Sequence, residues 1–430
     1  MPIRLDSHDA DFEPRFAALL AGKREASQEV GDVVANIIAD VRARGDAAVV
    51  EWTNTFDKSD VAPATLRISD AEIAAEANRV SPEVVAALQT AHDRIHAHHA
   101  KQMPVDHIYQ DHLGVTLGTR WTSVEAVGIY VPGGLASYPS SVLMNAVPAK
   151  VAGVERIAMV VPAPHGQLNP AVLAAARIAG VTEIYRVGGA QAVAALAYGT
   201  EHIARVDKIV GPGNAFVAAA KRQVFGQVGI DMIAGPSEVL VIADGSANPA
   251  WVAADLIAQA EHGAGAQSIL VTTEKGLADA VAAEVERQLS LLPKQGIARD
   301  GWDEFGAIIT VPSLDAAVVL ANRIASEHVE LAIDDPQSLV PRIRHAGAIF
   351  LGHHTPEAIG DYVGGSNHVL PTARSARFAS GLGVLDFVKR TSILGCDPSS
   401  LAALADAAIT LAEVEALDGH GRSISIRLNR

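Results

Sequence analysis

Val127-Gly-Ile-Tyr-Val-Pro-Gly-Gly134 is a short apolar run that stops at a proline and two glycines, and the same design recurs three times downstream. Ile157–Val161 ends at Pro162, Ile184–Val187 at Gly188-Gly189, and Lys208–Val210 at Gly211-Pro212-Gly213. Alanine-rich segments with helical character separate the runs. Strand, glycine turn and helix in repetition is the pattern of a doubly wound parallel sheet, whose strands are buried on both faces and so read as continuous apolar runs. A second series follows: Val239–Ile242, Ser268–Val271, Ala307–Val311, Val329–Ile333 and Ala348–Leu351. The chain therefore reads as α/β with two such units in tandem. The two units share a pattern without a residue-level repeat.

Working outward, the first 120 residues or so read as helical scaffold. Val30–Arg44 sets Val33, Ile37, Ile38 and Val41 on one face, and Pro82–Lys101 is a second long helical stretch. Beyond Gly381 a tail carries one helix over Ser400–Leu417, then Asp418-Gly-His-Gly421. These breaks divide the chain into an arm (1–25), a helical region (26–123) expected to pack with the second α/β unit, a first α/β domain (124–237), a second (238–380) and a tail (381–430).

Composition agrees and excludes several functions. Of 430 residues, 49% are apolar and 19% charged, which is globular. Aromatics make up only 4%, so the cores must be built from Ala, Val, Ile and Leu. The net charge of −15 repels a polyphosphate backbone, so no nucleic-acid partner is expected. A dinucleotide stays compatible, because helix N-termini hold pyrophosphate without net positive charge. One cysteine, Cys396, excludes an internal disulfide. Met1–Phe16 has no apolar signal core, and no stretch nears the ~18 uninterrupted apolar residues of a membrane span. A cytoplasmic location is the expectation.

Several polar constellations could carry chemistry. Asn248-Pro249 makes a helix start and Gly263 a stop, so Gln259 and His262 fall three residues apart on one helical face, with the His262 ring exposed in the last turn. That spacing suits two ligands of one metal and equally suits a surface histidine in the field of a helix C-terminus. Glu327-His328 sits where the helical segment Leu314–Ala325 turns into a strand; the position suits acid–base work, although it is the end of a sheet opposite to the usual ligand crevice. Asp361 and His368 occupy Gly360-Asp-Tyr-Val-Gly-Gly-Ser-Asn-His368, glycine-dense enough for close approach to a ligand or for a plain turn.

Gly211-Pro-Gly213-Asn-Ala-Phe216 follows a strand and opens a helix, but Phe216 takes the third glycine's place in the dinucleotide fingerprint. Cys396 has no neighbouring histidine and reads as an ordinary thiol, although a thiol-dependent aldehyde dehydrogenase would need such a residue. A two-lobed, non-catalytic binding protein is the other reading.

Six motifs in order along nearly the whole chain resemble the histidinol dehydrogenase family. They are Tyr130-Val-Pro-Gly-Gly134, Val210-Gly-Pro-Gly-Asn214, Ile230-Asp-Met-Ile-Ala-Gly-Pro-Ser-Glu238 with Gln259-Ala-Glu-His262, Ser326-Glu-His-Val-Glu330, Gly360–Thr372, and Glu413-Val-Glu-Ala-Leu-Asp-Gly-His420. The resemblance implies two incomplete Rossmann-like units and a homodimer that exchanges its C-terminal tails. It implies zinc held by Gln259, His262, Asp361 and His420. Histidinol would meet Ser237, Gln259, His262, His328, Asp361, Glu415 and His420, and NAD would meet Tyr130, Gln191 and Asn214. Glu327 and His328 would be the proton acceptors in a four-electron oxidation of histidinol, through its aldehyde, to histidine.

Overall fold

The computed structural model describes residues 2–22, 28–133, 138–233, 235–263, 265–293 and 295–429. Gly134 and Ala234, each within a motif quoted above, lie outside them. The first sheet is fully parallel, in the order Glu183–Tyr185, Arg156–Val160, Ala126–Tyr130, Lys208–Val210, Gly229–Ile230. Alternate residues of its strands feed two cores. Val127, Ile129, Ile157 and Met159 face one side, and Ala126, Tyr130, Ala158 and Val160 the other. Helices cover both faces, as continuous burial of the strands requires.

The second sheet is also parallel, in the order Ile3–Asp6, Ala307–Thr310, Gln267–Thr272, Glu238–Ala243, His328–Ala332, Ala348–Leu351. Every strand expected in the two units is present. The unforeseen members are Gly229–Ile230, an edge strand of the first sheet, and Ile3–Asp6, an edge strand of the second supplied by the N-terminal arm. Only Leu5 of Ile3–Asp6 is buried, and Gly229–Ile230 is two residues long, so neither carries an apolar run to announce it.

Two expectations need correction. The helical region packs chiefly on the first unit: Gln28–Arg44 lies against Gly189–Tyr198 and Ala215–Val224, and Pro82–His99 against Pro139–Val151 and Pro170–Ile178, while Arg94 reaches the Val363 and Gly364 carbonyls of the second by hydrogen bonds. The stripe that drives this is Val34, Ile37, Ile38 and Val41, an i, i+3, i+4, i+7 set that joins the first sheet's core. Val33, assigned to that face above, is exposed. A third, antiparallel sheet also exists, in which Thr116–Ser123 pairs with His107–Gln110 on one side and with tail strand Val388–Gly395 on the other. No residue of Thr116–Ser123 is fully buried, so these strands lack the apolar periodicity that reveals the others. The tail continues as helices Pro398–Val414 and Asp418–Ser425, packed chiefly on each other. No helix among the described residues is long and apolar enough to cross a membrane.

Candidate active site

A cavity of about 440 Å³ lies between the C-terminal edge of the first sheet and the N-terminal edge of the second. The first unit contributes Pro132 and Gly211–Asn214, each just past a strand end, and its last residue, Ser237; the second contributes Glu327 and His328, at the beginning of a strand. The unusual end of the second sheet is thus set against the usual end of the first. His262, Asp361, Tyr362, His368 and Thr372 complete the wall.

Ala325 takes a left-handed conformation at φ 54°, ending helix Leu314–Ile324 and turning Ser326-Glu-His328 into the cavity. Both acid–base candidates are then fixed by one residue of the neighbouring strand. The Glu238 N–H donates to Glu327 Oε2 (2.9 Å), and His328 Nδ1 lies 3.0 Å from the Glu238 carbonyl. A carbonyl only accepts, so Nδ1 carries the proton and Nε2 keeps its lone pair. Nε2 is buried without a hydrogen-bond partner, 3.9 Å from Asp361 Oδ1. Burial, helped by the nearby His262 and His368 rings and opposed by the hydrogen bond to the Glu238 carbonyl, pushes the His328 imidazole down to about 3, so it is a neutral base across the physiological range. Burial raises the Glu327 carboxyl well above its ordinary value, aided by Glu238 and Asp361; hydrogen bonds from the Glu238 N–H and Ser237 oppose this.

A second cluster adjoins them. Ligand atoms of His262, Glu357 and Asp361 all lie within 4.8 Å of one another. Helix Glu357–Tyr362 places Glu357 and Asp361 one turn apart on one face, and Glu330 Oε1 anchors its start by accepting the Glu357 N–H (2.6 Å). Helix Pro249–Ala260 starts as expected, with Asn248 accepting from the Ala250 N–H (2.9 Å). It ends two residues short of His262, which lies in the following turn with its N–H on the Gln259 carbonyl (3.2 Å). Gln259 is fully buried, and neither its amide oxygen nor its amide nitrogen has a partner. A buried amide left bare costs ~1–3 kcal/mol, so these orphaned atoms fit a missing ligand. Burial lifts Asp361 to about 6, roughly 3 kcal/mol against its charged form. A divalent cation would reverse that sign. The imidazole and carboxylates of that cluster suit zinc.

Of the residues implied for NAD, Asn214 lines the cavity. Its side-chain oxygen caps helix Ala215–Val224 through the Phe216 and Val217 N–H groups (both 3.1 Å). Tyr130 and Gln191 are buried behind it and meet at the Gly188-Gly189 turn: the Tyr130 hydroxyl accepts the Gly189 N–H (3.0 Å), and Gln191 Oε1 is a further orphan. His368 is held between the Asp361 carbonyl (Nδ1, 3.0 Å) and Ser141 Oγ (Nε2, 3.1 Å), a structural link across the cavity wall. Glu415 and His420 stand exposed on the tail, off the cavity wall of their own chain. Cys396 is exposed and also off that wall. Reading the sequence missed Glu357, although its i, i+4 spacing to Asp361 was the available signal, and missed Glu238, which acts here through its backbone.

Fold and site together define an α/β enzyme that combines a buried acid–base pair with a cluster able to hold a metal. A profile of the histidinol dehydrogenase family matches residues 20–428. Histidinol dehydrogenase of Agrobacterium fabrum is 66% identical over 429 residues, covering 100% of this chain and 99% of the relative. That of Rhizobium meliloti is 65% identical with the same coverage. The crystal structure of histidinol dehydrogenase from Elizabethkingia anophelis superposes with a TM-score of 0.95 at 36% identity, over 100% of this chain and 98% of that one. The chain belongs to the histidinol dehydrogenase family.

Proposed function

We propose that this protein oxidises L-histidinol to L-histidine in two NAD-linked steps, with zinc at the Gln259–His262–Asp361 cluster, and that it acts in the cytoplasm. The observation that carries the reading is His328 Nε2, an unprotonated, unpartnered base facing that cluster across the cavity. The domains are read as an arm (1–25), a helical region (26–123), two incomplete Rossmann-like units (124–237 and 238–380) and a tail (381–430).

Gln259, His262 and Asp361 would hold the metal together with His420 of a second copy, and zinc would supply a Lewis-acidic anchor for substrate nitrogen without redox work. NAD, carried by Tyr130, Gln191 and Asn214, would take each hydride. His328 removes the hydroxyl proton in the first oxidation. Glu327, whose burial strengthens its proton affinity, activates the water that converts bound aldehyde to its hydrate. His328 then takes the hydrate proton in the second. Ser237 and Glu415 position histidinol. Holding the aldehyde bound between the two steps avoids losing a reactive species.

The test is NADH formed per histidinol consumed. Two per substrate is the expected result for the parent. Glu327→Gln keeps the oxygen that accepts the Glu238 N–H, so it should spare alcohol oxidation and lower aldehyde oxidation ~10²–10⁴-fold, drawing the ratio toward one. Equal losses in both half-reactions would refute that division of labour, and no NADH from the parent would refute the substrate.

The tail supports a homodimer with shared sites. Glu415 and His420 are exposed, and Leu411 and Val414 beside them are 63% and 80% exposed. Apolar side chains so exposed fit a surface covered by another copy. Subunits with His420→Asn mixed with subunits with His262→Asn should regain activity, because one intact site forms per mixed dimer. Absence of any regain would exclude a ligand contributed across subunits.

A further inference from the structure

The cavity floor holds a feature that the catalytic scheme leaves unused: an ion pair between Lys221 and Asp231 whose side chains are 2% and 1% exposed. Its hydrogen bonds converge on one residue. Asp231 Oδ2 accepts the Gly211 N–H (2.8 Å), and Lys221 Nζ donates to the Gly211 carbonyl (2.9 Å). Asp231 Oδ1 accepts the Met232 N–H (2.6 Å) as well. The pair therefore grips both polar groups of Gly211 and ties them to the start of the Met232–Ser237 segment. Gly211 is pinned from the other side too: at φ +111°, a Cβ there would stand 2.2 Å from the Tyr130 carbonyl oxygen. Three residues further on, the Asn214 side chain spends its oxygen on capping the helix and leaves its amide N–H groups for a ligand.

A buried ion pair is a poor way to stabilise a fold, since replacing both partners by neutral groups is often neutral or favourable. Placed under a glycine loop that opens toward the cavity, it has a clearer use. We infer that Lys221 and Asp231 are positioning residues for the nucleotide cofactor, holding the Gly211–Asn214 loop at the one height from which Asn214 and the adjoining helix N-terminus can meet it. The inference rests on NAD as the cofactor proposed above.

The variant to make is the double substitution Lys221→Met with Asp231→Asn. Either change alone strands a buried charge and risks the fold; together they leave none. The amide that replaces the Asp231 carboxylate has one accepting oxygen, so it would satisfy only one of the two N–H groups, and the clamp on the Gly211 carbonyl is gone. Purified, zinc-loaded parent and variant are titrated with NADH by fluorescence, and with histidinol by calorimetry in the absence of NAD. Amide exchange is followed over the peptide covering Gly211–Phe216. The expected result is a variant that melts cooperatively and binds histidinol as the parent does. It should bind NADH about tenfold or more weaker, with faster exchange confined to the loop, as loss of positioning alone demands. NADH affinity equal to the parent's would overturn the inference, as would a parallel loss of NADH and histidinol affinity, which marks a merely structural pair. A parent that binds no NADH would instead overturn the cofactor assignment itself.

Discussion

Replacing His328 with asparagine should lower both half-reactions, from histidinol and from histidinaldehyde, by ~10²–10⁴-fold, the usual cost of removing a general base. The geometry makes this substitution informative. Asparagine retains an N–H donor near the position of Nδ1, so the bond to the Glu238 carbonyl can persist. What disappears is Nε2, the atom that is buried, unpartnered and turned toward Asp361. Folding should survive, and a thermal melt close to the parent's checks that. The pH profile carries a second signature. With the ring held near 3, His328 stays a competent base well below pH 6.5, so no acid limb near an ordinary histidine value should arise from it. A variant that keeps most of either half-reaction would remove His328 from the role of shared base.

Stripping the metal should abolish turnover, and zinc should restore it, with a thermal stabilisation that grows with pH. The sign follows from the groups at the cluster. Asp361 is raised from 3.8 to about 6 in the metal-free fold, so its contribution to stability is complete below its unfolded value and is lost as pH rises through about 6. Buried Glu357 and Glu327 are raised as well and act in the same direction. His328 and His368, depressed to about 3 and about 4, act oppositely, their contribution being lost as pH falls below 6.5. Metal-free protein is therefore penalised as pH rises by ionising carboxylates that burial has stripped of water, with mutual repulsion adding to the cost at Glu357 and Glu327. A divalent cation neutralises them and requires their deprotonated forms. At a hundredfold excess over its dissociation constant, zinc contributes ~2.7 kcal/mol. Melting curves at pH 5.5 and pH 8, with zinc and with chelator, measure the difference. A zinc-induced shift equal at both values, or larger at the lower one, would place the metal elsewhere.

How far the sequence foretold these features depended on whether the signal was local. Val127–Val131 and its successors end at glycine because a parallel strand must turn sharply into its covering helix, and that need is written within ten residues or so. Thr116–Ser123 and Val388–Gly395 form as regular a ladder, yet neither showed, since each is stabilised by a partner some 270 positions away and buries too little to leave a period. Val33 and Val34 differ by a single position on the same helix, and only the approach of Gly189–Tyr198 and Ala215–Val224 settles which of them is buried.

For the site, the residue types at Gln259, His262, Glu327, His328 and Asp361 were legible in the sequence, because short-range spacing and family motifs constrain them. The assembly of His262, Glu327, His328 and Asp361 into one cavity was not. Sequence alone determined two parallel α/β units, an acidic chain with one thiol, and the motifs that carry the chemistry, all of which follow from the period and composition of contiguous segments. Tertiary structure decided that the C-terminal edge of one sheet faces the N-terminal edge of the other, that Glu357 joins His262 and Asp361, that Lys221 and Asp231 close beneath Gly211, and that His328 is neutral. Each depends on burial by segments distant in the chain, and desolvation is a property of the packed molecule that no local pattern encodes.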